Sequence, residues 1–265
     1  MTKIILELKK SVEQNASDYF EKAKKQKKKI EGAKKAMMQQ QEKLIALEKE
    51  APKEEAKKHV EVRKKNWYEK FKWFFTSDGL LCVAGRDATT NEIIIKKHAE
   101  KNDLVFHTDM AGSPFIVMKI PKEGMEVSKE SLQEAADFVC VHSKAWKLGM
   151  ATTPAFYVKP EQVTKEANTG EYLSKGSFVI RGKTNYVTPT MNYAVCIKDG
   201  AVMGGPINAI KKYATEYIEI VQANEKTSDA AKIIQKKIGG DLDEIISVLP
   251  PACKVKQNKN EANKK

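Results

Sequence analysis

The amino-acid sequence predicts an α+β protein: a basic N-terminal coiled-coil helix, then one mixed α/β domain in which helices pack on a β-sheet, then a disordered basic tail. The helix is assigned to residues 1–70, because from Ser11 onward they hold one glycine and one proline and abound in helix-forming lysine, glutamate, glutamine and alanine. Residues 71–251 alternate apolar runs, glycine turns and amphipathic stretches, as mixed domains do. Residues 252–265 are rich in lysine and asparagine, which predicts disorder.

A heptad pattern runs through the first segment. One seam position takes Ala16, Ala23, Ile30, Met37, Leu44 and Ala51, and the other takes Tyr19, Gln26, Ala33, Gln40 and Leu47. The alternating spacing of three and four residues is the one that a left-handed coiled coil requires. Few of these side chains are large and apolar, so we expect the helix to need a partner helix. Pro52 should end or kink it, and Lys53–Lys72 is the candidate for a second helix, either continuous in direction or folded back.

The domain at residues 71–251 is expected to open with a β-hairpin, because two apolar runs, Phe71–Phe75 and Leu80–Ala84, flank Ser77-Asp78-Gly79. Further strands are predicted at Leu104–Thr108, Phe115–Ile120, Ala155–Val158, Ser177–Ile180, Ala194–Ile197 and, as the last strand, Tyr217–Val221. Helices are predicted at Lys129–Leu148, Ile207–Ala214, Ser228–Ile238 and Asp241–Leu249, and Asn91–Ala99 is predicted to be a short helix or a turn. Pro250-Pro251 should end the fold.

The charge of the chain points to a polyanionic partner. Its formal net charge is +12 and its pI is near 9.3, a balance that favours nucleic acid. The lysines between residues 22 and 35, among them Lys24, Lys25 and Lys28, have few acids around them and predict a phosphate-facing stripe; the alternative is a solvated coiled-coil face. No apolar run approaches the ~20 residues that span a bilayer. We therefore expect a cytoplasmic protein with no membrane partner.

Catalytic patterns are weak in this sequence. His107 and Asp109 stand two apart in a predicted strand and so share a face, an arrangement that can orient a general base. No nucleophile motif accompanies them, and no P-loop, GxGxxG or HExxH pattern occurs. We interpret the pair as structural and predict a protein that is not an enzyme and has no cofactor or metal. The four cysteines include no CxxC pair and should stay reduced.

Basic residues on the loops of the domain are the candidate RNA contacts, since lysine and arginine there can reach phosphate oxygens without a deep pocket. They are Arg86, Lys96, Lys97, Lys165, Lys175, Arg181 and Lys183. Tyr172 lies among them and is the aromatic candidate for stacking on an unpaired base. Phe178 is assigned to the core instead.

Five motifs follow one another along the chain: WYEKFKWF at Trp67–Phe74, GRDATTNEIIIKKH at Gly85–His98, DLVFHTDMAGSP at Asp103–Pro114, TGEYLSKGSFVIRGK at Thr169–Lys183 and GGPINAIKKYATEYIEI at Gly204–Ile220. Together they resemble the NFACT-R domain, in its archaeal and eukaryotic branch. ELKKSVEQNASDYFEKAKK at Glu7–Lys25 is similar to the coiled coil that precedes this domain in NFACT proteins of the RqcH/NEMF type.

The resemblance implies an RNA- and ribosome-binding protein of ribosome-associated quality control. Its partners would be ribosomal RNA of the large subunit and tRNA on stalled nascent-chain complexes. Family members carry an NFACT-N and a helix-hairpin-helix domain before the coiled coil, and this sequence starts at the coiled coil. One expectation is therefore half of a split NFACT protein whose coiled coil pairs with a separate NFACT-N/helix-hairpin-helix polypeptide. The alternative is a stand-alone nucleic-acid-binding adaptor that takes no part in nascent-chain tailing.

Overall fold

The computed structural model describes residues 6–50, with backbone only from 44 to 50, and residues 63–166 and 173–256. The chain forms two compact units, which divide between Val62 and Arg63. The predictions made for Pro52 and for the seam position Ala51 lie outside the described residues. Of the proposed second helix Lys53–Lys72, the described part contains a single 3-10 turn, Trp67–Lys70, and then enters a strand, so the helical prediction is wrong there.

The first unit is a long helix, as predicted: α1 spans Val12–Glu50, 39 residues. Ser11 and Gln14 begin it with a reciprocal cap, in which the Gln14 N–H donates to Ser11 Oγ (3.2 Å) and the Ser11 N–H donates to Gln14 Oε1 (3.0 Å). The residues before the helix fold back on its first turn, because Asn15 accepts a hydrogen bond from the Glu7 N–H and donates one to the Glu7 carbonyl.

The second unit is a mixed α/β domain, also as predicted. Its strands are β1 Lys72–Phe75, β2 Leu81–Ala84, β3 Leu104–Thr108, β4 Ile116–Met118, β5 Ala155–Val158, β6 Val163–Thr164, β7 Val179–Ile180, β8 Asn185–Val187, β9 Tyr193–Lys198, β10 Ala201–Gly205, β11 Ile218–Gln222 and β12 Cys253–Val255. Its helices are α2 Ala88–Ile93, α3 Lys129–Val141, α4 Lys144–Lys147, α5 Ile207–Tyr213, α6 Thr227–Ile238 and α7 Leu242–Val248. A π-helical turn, Ile94–His98, continues α2.

All described strand pairs are antiparallel. Six strands form one sheet in the order β1-β2-β4-β3-β5-β8, four form a second in the order β10-β9-β11-β12, and β6 pairs with β7. Both faces of the six-stranded sheet are covered, so its central strands send alternate residues into two cores. In β3, Leu104 and Phe106 face the larger core, shared with the four-stranded sheet and α3, whereas Val105 faces a smaller one.

The smaller core holds the part of the domain in which the candidate site lies. Phe71, Ile94 and Phe115 are buried in it, so the 3-10 turn, the α2 region and the chain before β4 all pack on the same sheet face. Phe178, from the segment before β7, is partly buried against it, in agreement with its assignment to the core.

Two further sequence predictions need correction, and three more strands were missed. The fold does not end at Pro250-Pro251, since β12 follows the prolines and adds to the four-stranded sheet beside β11. The disorder predicted from residue 252 is therefore wrong for Cys253–Val255, and residues 257–265 of that tail lie outside the described residues. The Lys129–Leu148 helix is broken, because Ser143 turns away from the first helix and caps α4 by accepting from the Ala145 N–H at 3.1 Å. Strands β6, β8 and β10 were not anticipated. In β10, Gly204 packs against Tyr193, and a Cβ there would lie 2.3 Å from the hydroxyl.

The second unit also begins earlier than Phe71. Arg63 forms an ion pair with the largely buried carboxylate of Glu69, with 2.8 Å between Arg63 Nη1 and Glu69 Oε1. Trp67 stacks on His98, with ring centroids 4.4 Å apart. Residues from 63 onward therefore belong to the packed domain rather than to the helical arm.

Candidate nucleic-acid interface

A cleft of about 730 Å³ opens on the second unit. Three loops line it: residues 85–88 after β2, residues 111–114 before β4, and residues 175–178 before β7. Leu249 and Pro251, between α7 and β12, complete the wall. The three loops come from three motifs that are far apart in the sequence, and the fold brings them to one place.

Two glycines allow the loops to pack closely. A Cβ on Gly176 would lie 2.6 Å from the Cα of Ala88, and Gly176 has a φ of +81°, where side chains are disfavoured. A Cβ on Gly85 would lie 2.0 Å from Asn91 Oδ1. That same Asn91 oxygen accepts the Phe115 N–H at 3.2 Å, so Asn91 ties the first loop to the second.

Glu92 of α2 fixes the third loop and engages two of the predicted RNA-binding lysines. Its Oε1 accepts the Gly176 N–H at 3.0 Å and lies 2.8 Å from Lys165 Nζ, while its Oε2 accepts from Lys96 Nζ at 3.2 Å. The hydrogen bond from Lys165, above all, lowers the pKa of Glu92 to about 2. The Lys165 ammonium also lies 4.5 Å from the ring centre of Phe178. Lys96 and Lys165 thus already have internal partners.

The other predicted RNA-contact residues differ in whether they form an ion pair. Lys97, Lys175 and Lys183 are exposed and form no ion pair with any described residue, and Lys175 lines the cleft. Arg181 is exposed but lies 3.7 Å from Glu166. Lys24, Lys25 and Lys28 are exposed on α1, in the other unit, and Tyr172 lies outside the described residues.

Arg86 forms hydrogen bonds within the domain that the sequence did not predict. One nitrogen of its guanidinium, Nη2, donates to the carbonyls of Glu69 (3.3 Å) and Phe71 (3.1 Å) and to Ser247 Oγ (3.2 Å). These bonds connect the start of the domain with α7. Partial burial lowers the pKa of the guanidinium, although arginine stays charged at any physiological pH.

Lys72 and His142, which sequence reasoning missed, form a pair that lines the cleft. Lys72 Nζ lies 2.9 Å from His142 Nδ1 and donates to the Leu249 carbonyl at 3.2 Å. Burial, with a smaller effect of the nearby Arg86 charge, lowers the pKa of Lys72 to about 7, and burial holds the pKa of His142 well below its usual value. A signal was present: Lys72 interrupts the aromatic run Phe71–Phe75.

The His107 and Asp109 side chains do not form the predicted pair. The two ring nitrogens of His107 lie 2.6 Å from the Thr108 carbonyl and 3.2 Å from the Ser113 carbonyl, and the ring stacks on Phe115. Asp109 accepts a hydrogen bond from Tyr186 instead. Desolvation lowers the pKa of His107, and the contacts with the two carbonyls oppose that shift.

Among the described residues, no group of three His, Cys, Asp or Glu side chains is placed to hold a metal ion. The four cysteines are buried free thiols. None of the helices in the described ranges is both long and apolar enough to cross a membrane.

Residues 70–182 match the family model described as the NFACT protein RNA binding domain. The chain carries an NFACT-R domain. This stretch contains all three loops of the cleft and seven of the eight basic or aromatic candidates assigned to the domain, namely Arg86, Lys96, Lys97, Lys165, Tyr172, Lys175 and Arg181.

Similarity to characterised proteins extends beyond the NFACT-R domain. The chain is 41% identical over 202 residues to the archaeal Rqc2 homolog aRqcH of Methanocaldococcus jannaschii, which covers 73% of this chain and 30% of that protein. It is 37% identical over 180 residues to ribosome quality control complex subunit NEMF of Homo sapiens, and the match covers 66% of this chain and 16% of that protein. A ribosome quality control complex subunit NEMF homolog of Drosophila melanogaster is 34% identical over 191 residues, and the match covers 71% of this chain and 19% of that protein. The chain thus spans less than a third of the length of these relatives.

Proposed function

We propose that this chain is a non-catalytic RNA-binding module of ribosome quality control that acts in the cytoplasm on the large ribosomal subunit. The observation that carries the proposal is the cleft of the NFACT-R domain, where three separate motifs meet beside the exposed Lys175; Lys97 and Lys183 are exposed on the same unit but do not line the cleft. The names of the relatives, as ribosome quality control subunits, support the cellular role. Ribosomal RNA is the proposed partner, and tRNA is a second RNA that the same basic surface would bind.

Exposed cations, rather than paired ones, are expected to contact the RNA backbone most strongly. Lys97, Lys175 and Lys183 have no described ion pair to break, whereas Lys96, Lys165 and Arg181 must first give up a carboxylate. Each lysine that neutralises a phosphate releases counterions, so binding should weaken steeply as salt rises.

The experiment is a salt titration of RNA binding, with a large-subunit ribosomal RNA fragment and a tRNA as separate ligands. We expect the triple alanine variant of Lys97, Lys175 and Lys183 to flatten the slope of log K against log salt by about 0.7 to 0.9 for each phosphate that the variant no longer neutralises. The matched control replaces three exposed lysines on α4, α6 and β12, none of which lines the cleft: Lys147, Lys232 and Lys254.

Wild-type affinity that does not change between low and physiological salt would refute the proposal. So would equal losses in the two triple variants, because that result would mean binding depends on net charge alone. Cosedimentation with large subunits, followed by crosslinking, identifies which RNA is contacted in a cell extract.

A partner helix for α1 is the second part of the proposal. Two large apolar seam residues of α1, Ile30 (55%) and Met37 (67%), are exposed, and Phe20 (80%), next to the seam residue Tyr19, is exposed as well. Burial of such a seam stabilises a long helix that has little apolar contact of its own. We propose a separate polypeptide, of the NFACT-N/helix-hairpin-helix type, as the partner in the cell and a second copy of the chain in purified protein. Ile30→Lys should then lower the mass measured by analytical ultracentrifugation, and a monomeric wild type would exclude self-pairing.

A further inference from the structure

The floor of the cleft holds a lysine with an unusual set of partners. Lys72 lies at the start of β1, in a run of aromatic residues, and its ammonium contacts only neutral groups: the imidazole of His142 and the carbonyl of Leu249. An ammonium ion can donate three hydrogen bonds, so one donor has no described partner. His142 is kept neutral by burial and accepts through Nδ1, so it provides no negative charge.

Buried or half-buried charges are normally paired with an opposite charge, because desolvation is costly. Here the strongest charge effect on the pKa of Lys72 comes from another cation, Arg86. The described bonds of the Arg86 guanidinium all go to neutral oxygens and all come from Nη2, which leaves Nε and Nη1 without a described partner. Among the described residues, neither Lys72 nor Arg86 forms an ion pair, although the charge of the neighbouring Asp87 acts on Arg86.

Acidic residues are nearly absent from the described walls of the cleft. Asp87 is the single acid among them, and it caps α2 by accepting from the N–H of Thr90 at 2.8 Å. Opposed to it are three cations, Lys72, Arg86 and Lys175. This composition suits an anion. The cleft also holds the imidazoles of His107 and His142, but no three His, Cys, Asp or Glu side chains of the described residues are placed to hold a metal ion.

We propose that the floor of the cleft is a phosphate-binding site in which Lys72 and Arg86 are the cationic partners and Lys175 closes the rim. The proposal rests on the proposed RNA-binding function in one respect, since RNA is the expected source of the phosphate. A free phosphate compound is the other source with the same chemistry. At about 730 Å³, the cleft has room for a whole nucleotide rather than for an isolated phosphate alone.

Phosphate chemistry fits the two cations individually. Arginine presents a planar set of donors that matches phosphate oxygens, and lysine acts as a point charge. A bound phosphate would supply the opposite charge that Lys72 lacks, and would accept its remaining N–H. Binding should therefore favour the protonated form of Lys72.

The test uses the full chain and three phosphate probes: inorganic phosphate, adenosine monophosphate and a short RNA with hydroxyl ends. Adenosine, which has no phosphate, is the matched negative probe. Amide shifts of Gly85, Gly112 and Gly176 in a proton–nitrogen NMR spectrum report on the three loops of the cleft. We expect these amides to shift saturably with phosphate-bearing probes and not with adenosine.

Variants then assign the effect to Lys72. Lys72→Met keeps a similar shape without the charge and should weaken phosphate binding by roughly tenfold, as the removal of one charge-assisted hydrogen bond implies. Lys72→Arg keeps the charge and should retain most of the affinity. Lys147→Met removes an exposed lysine from α4 and should bind as the wild type does. If Lys72→Met does not fold, the wild-type shifts and the arginine variant still decide the question.

The outcomes separate the two sources of phosphate. Competition by the short RNA supports an RNA phosphate at the site, and binding of adenosine monophosphate without such competition supports a free nucleotide. Equal shifts with adenosine, or equal binding by Lys72→Met and wild type, overturn the site. A wild type that binds ribosomal RNA but shows no phosphate shifts overturns the site and leaves the proposed function intact. Phosphate binding without any RNA binding would support the site and overturn the proposed RNA-binding function.

Discussion

Replacement of Gly176 by alanine tests whether close packing of two loops shapes the cleft. The new Cβ would lie 2.6 Å from the Cα and 2.7 Å from the Cβ of Ala88, and neither atom belongs to a flexible side chain that could move aside. Gly176 also has a φ of +81°. An L-residue in this left-handed region costs about 1–2 kcal/mol, and overpacking of a well-packed contact costs about 1–3 kcal/mol more. We therefore expect a loss of about 2–5 kcal/mol in the free energy of unfolding.

Gly124→Ala separates the two contributions. Gly124 has a φ of +76°, close to that of Gly176, but a Cβ added there would have no atom within 4 Å. It should lose only the backbone contribution of about 1–2 kcal/mol. The difference between the two variants, about 1–3 kcal/mol, measures the contact with Ala88.

Urea unfolding followed by tryptophan fluorescence is a suitable assay. All three tryptophans, Trp67, Trp73 and Trp146, lie in the second unit, so the signal reports on the domain and not on α1. Gly176→Ala should also weaken RNA binding, because the loops at 85–88 and 175–178 must separate to admit the methyl group. Equal unfolding free energies for the two variants would refute the packing argument.

His107→Ala should lower thermal stability, because the ring loses a hydrogen bond of about 1 kcal/mol to a backbone carbonyl and its stacking on Phe115. Lys97→Ala should weaken RNA binding without changing the melting temperature. A folded His107→Ala variant that no longer binds RNA would contradict this division. Glu92, whose pKa is lowered to about 2, contributes stability that is fully present above its ordinary pKa near 4.5 and is lost as pH falls through about 2. In acid titrations of unfolding, Glu92→Gln should therefore lose less stability over that window than the wild type. Lys72, whose folded pKa is about 7, binds more protons in the unfolded state between that pH and its ordinary pKa of 10.5, so wild-type stability should rise with pH over that range relative to Lys72→Met.

Local elements were predictable because their signals are local. The hairpin of β1 and β2 forms around Gly79, whose φ of +84° suits a glycine turn, and its register follows from the two apolar runs. β3 and β5 match their predicted bounds because β-branched and aromatic residues fill them. Strand β10 escaped prediction because Gly204 and Gly205 carry no strand signal, and their reason for being glycine is a close approach to Tyr193 and Phe74.

The RNA-contacting role of the basic loop residues stays a prediction, but the structure shows which of them are paired with carboxylates. The Lys96–Glu92 pair is local, at a spacing of four residues, but the contacts of Lys165 and Gly176 with Glu92 join residues 73 and 84 positions apart. The same limit explains Arg86, whose guanidinium bonds reach from Glu69 to Ser247.

The amino-acid sequence by itself determined the long helix, the α+β class, the positive charge and the motifs of the NFACT-R domain, because composition, periodicity and short motifs are properties of neighbouring residues. Only the tertiary structure decided that the chain returns as β12 beyond two prolines, that three distant loops enclose one cleft, and that Lys72 meets His142 across 70 residues. The physical reason is that the protonation state of a side chain, and whether its hydrogen-bonding groups are paired, depend on burial and on partners from distant parts of the chain. No local pattern records those partners.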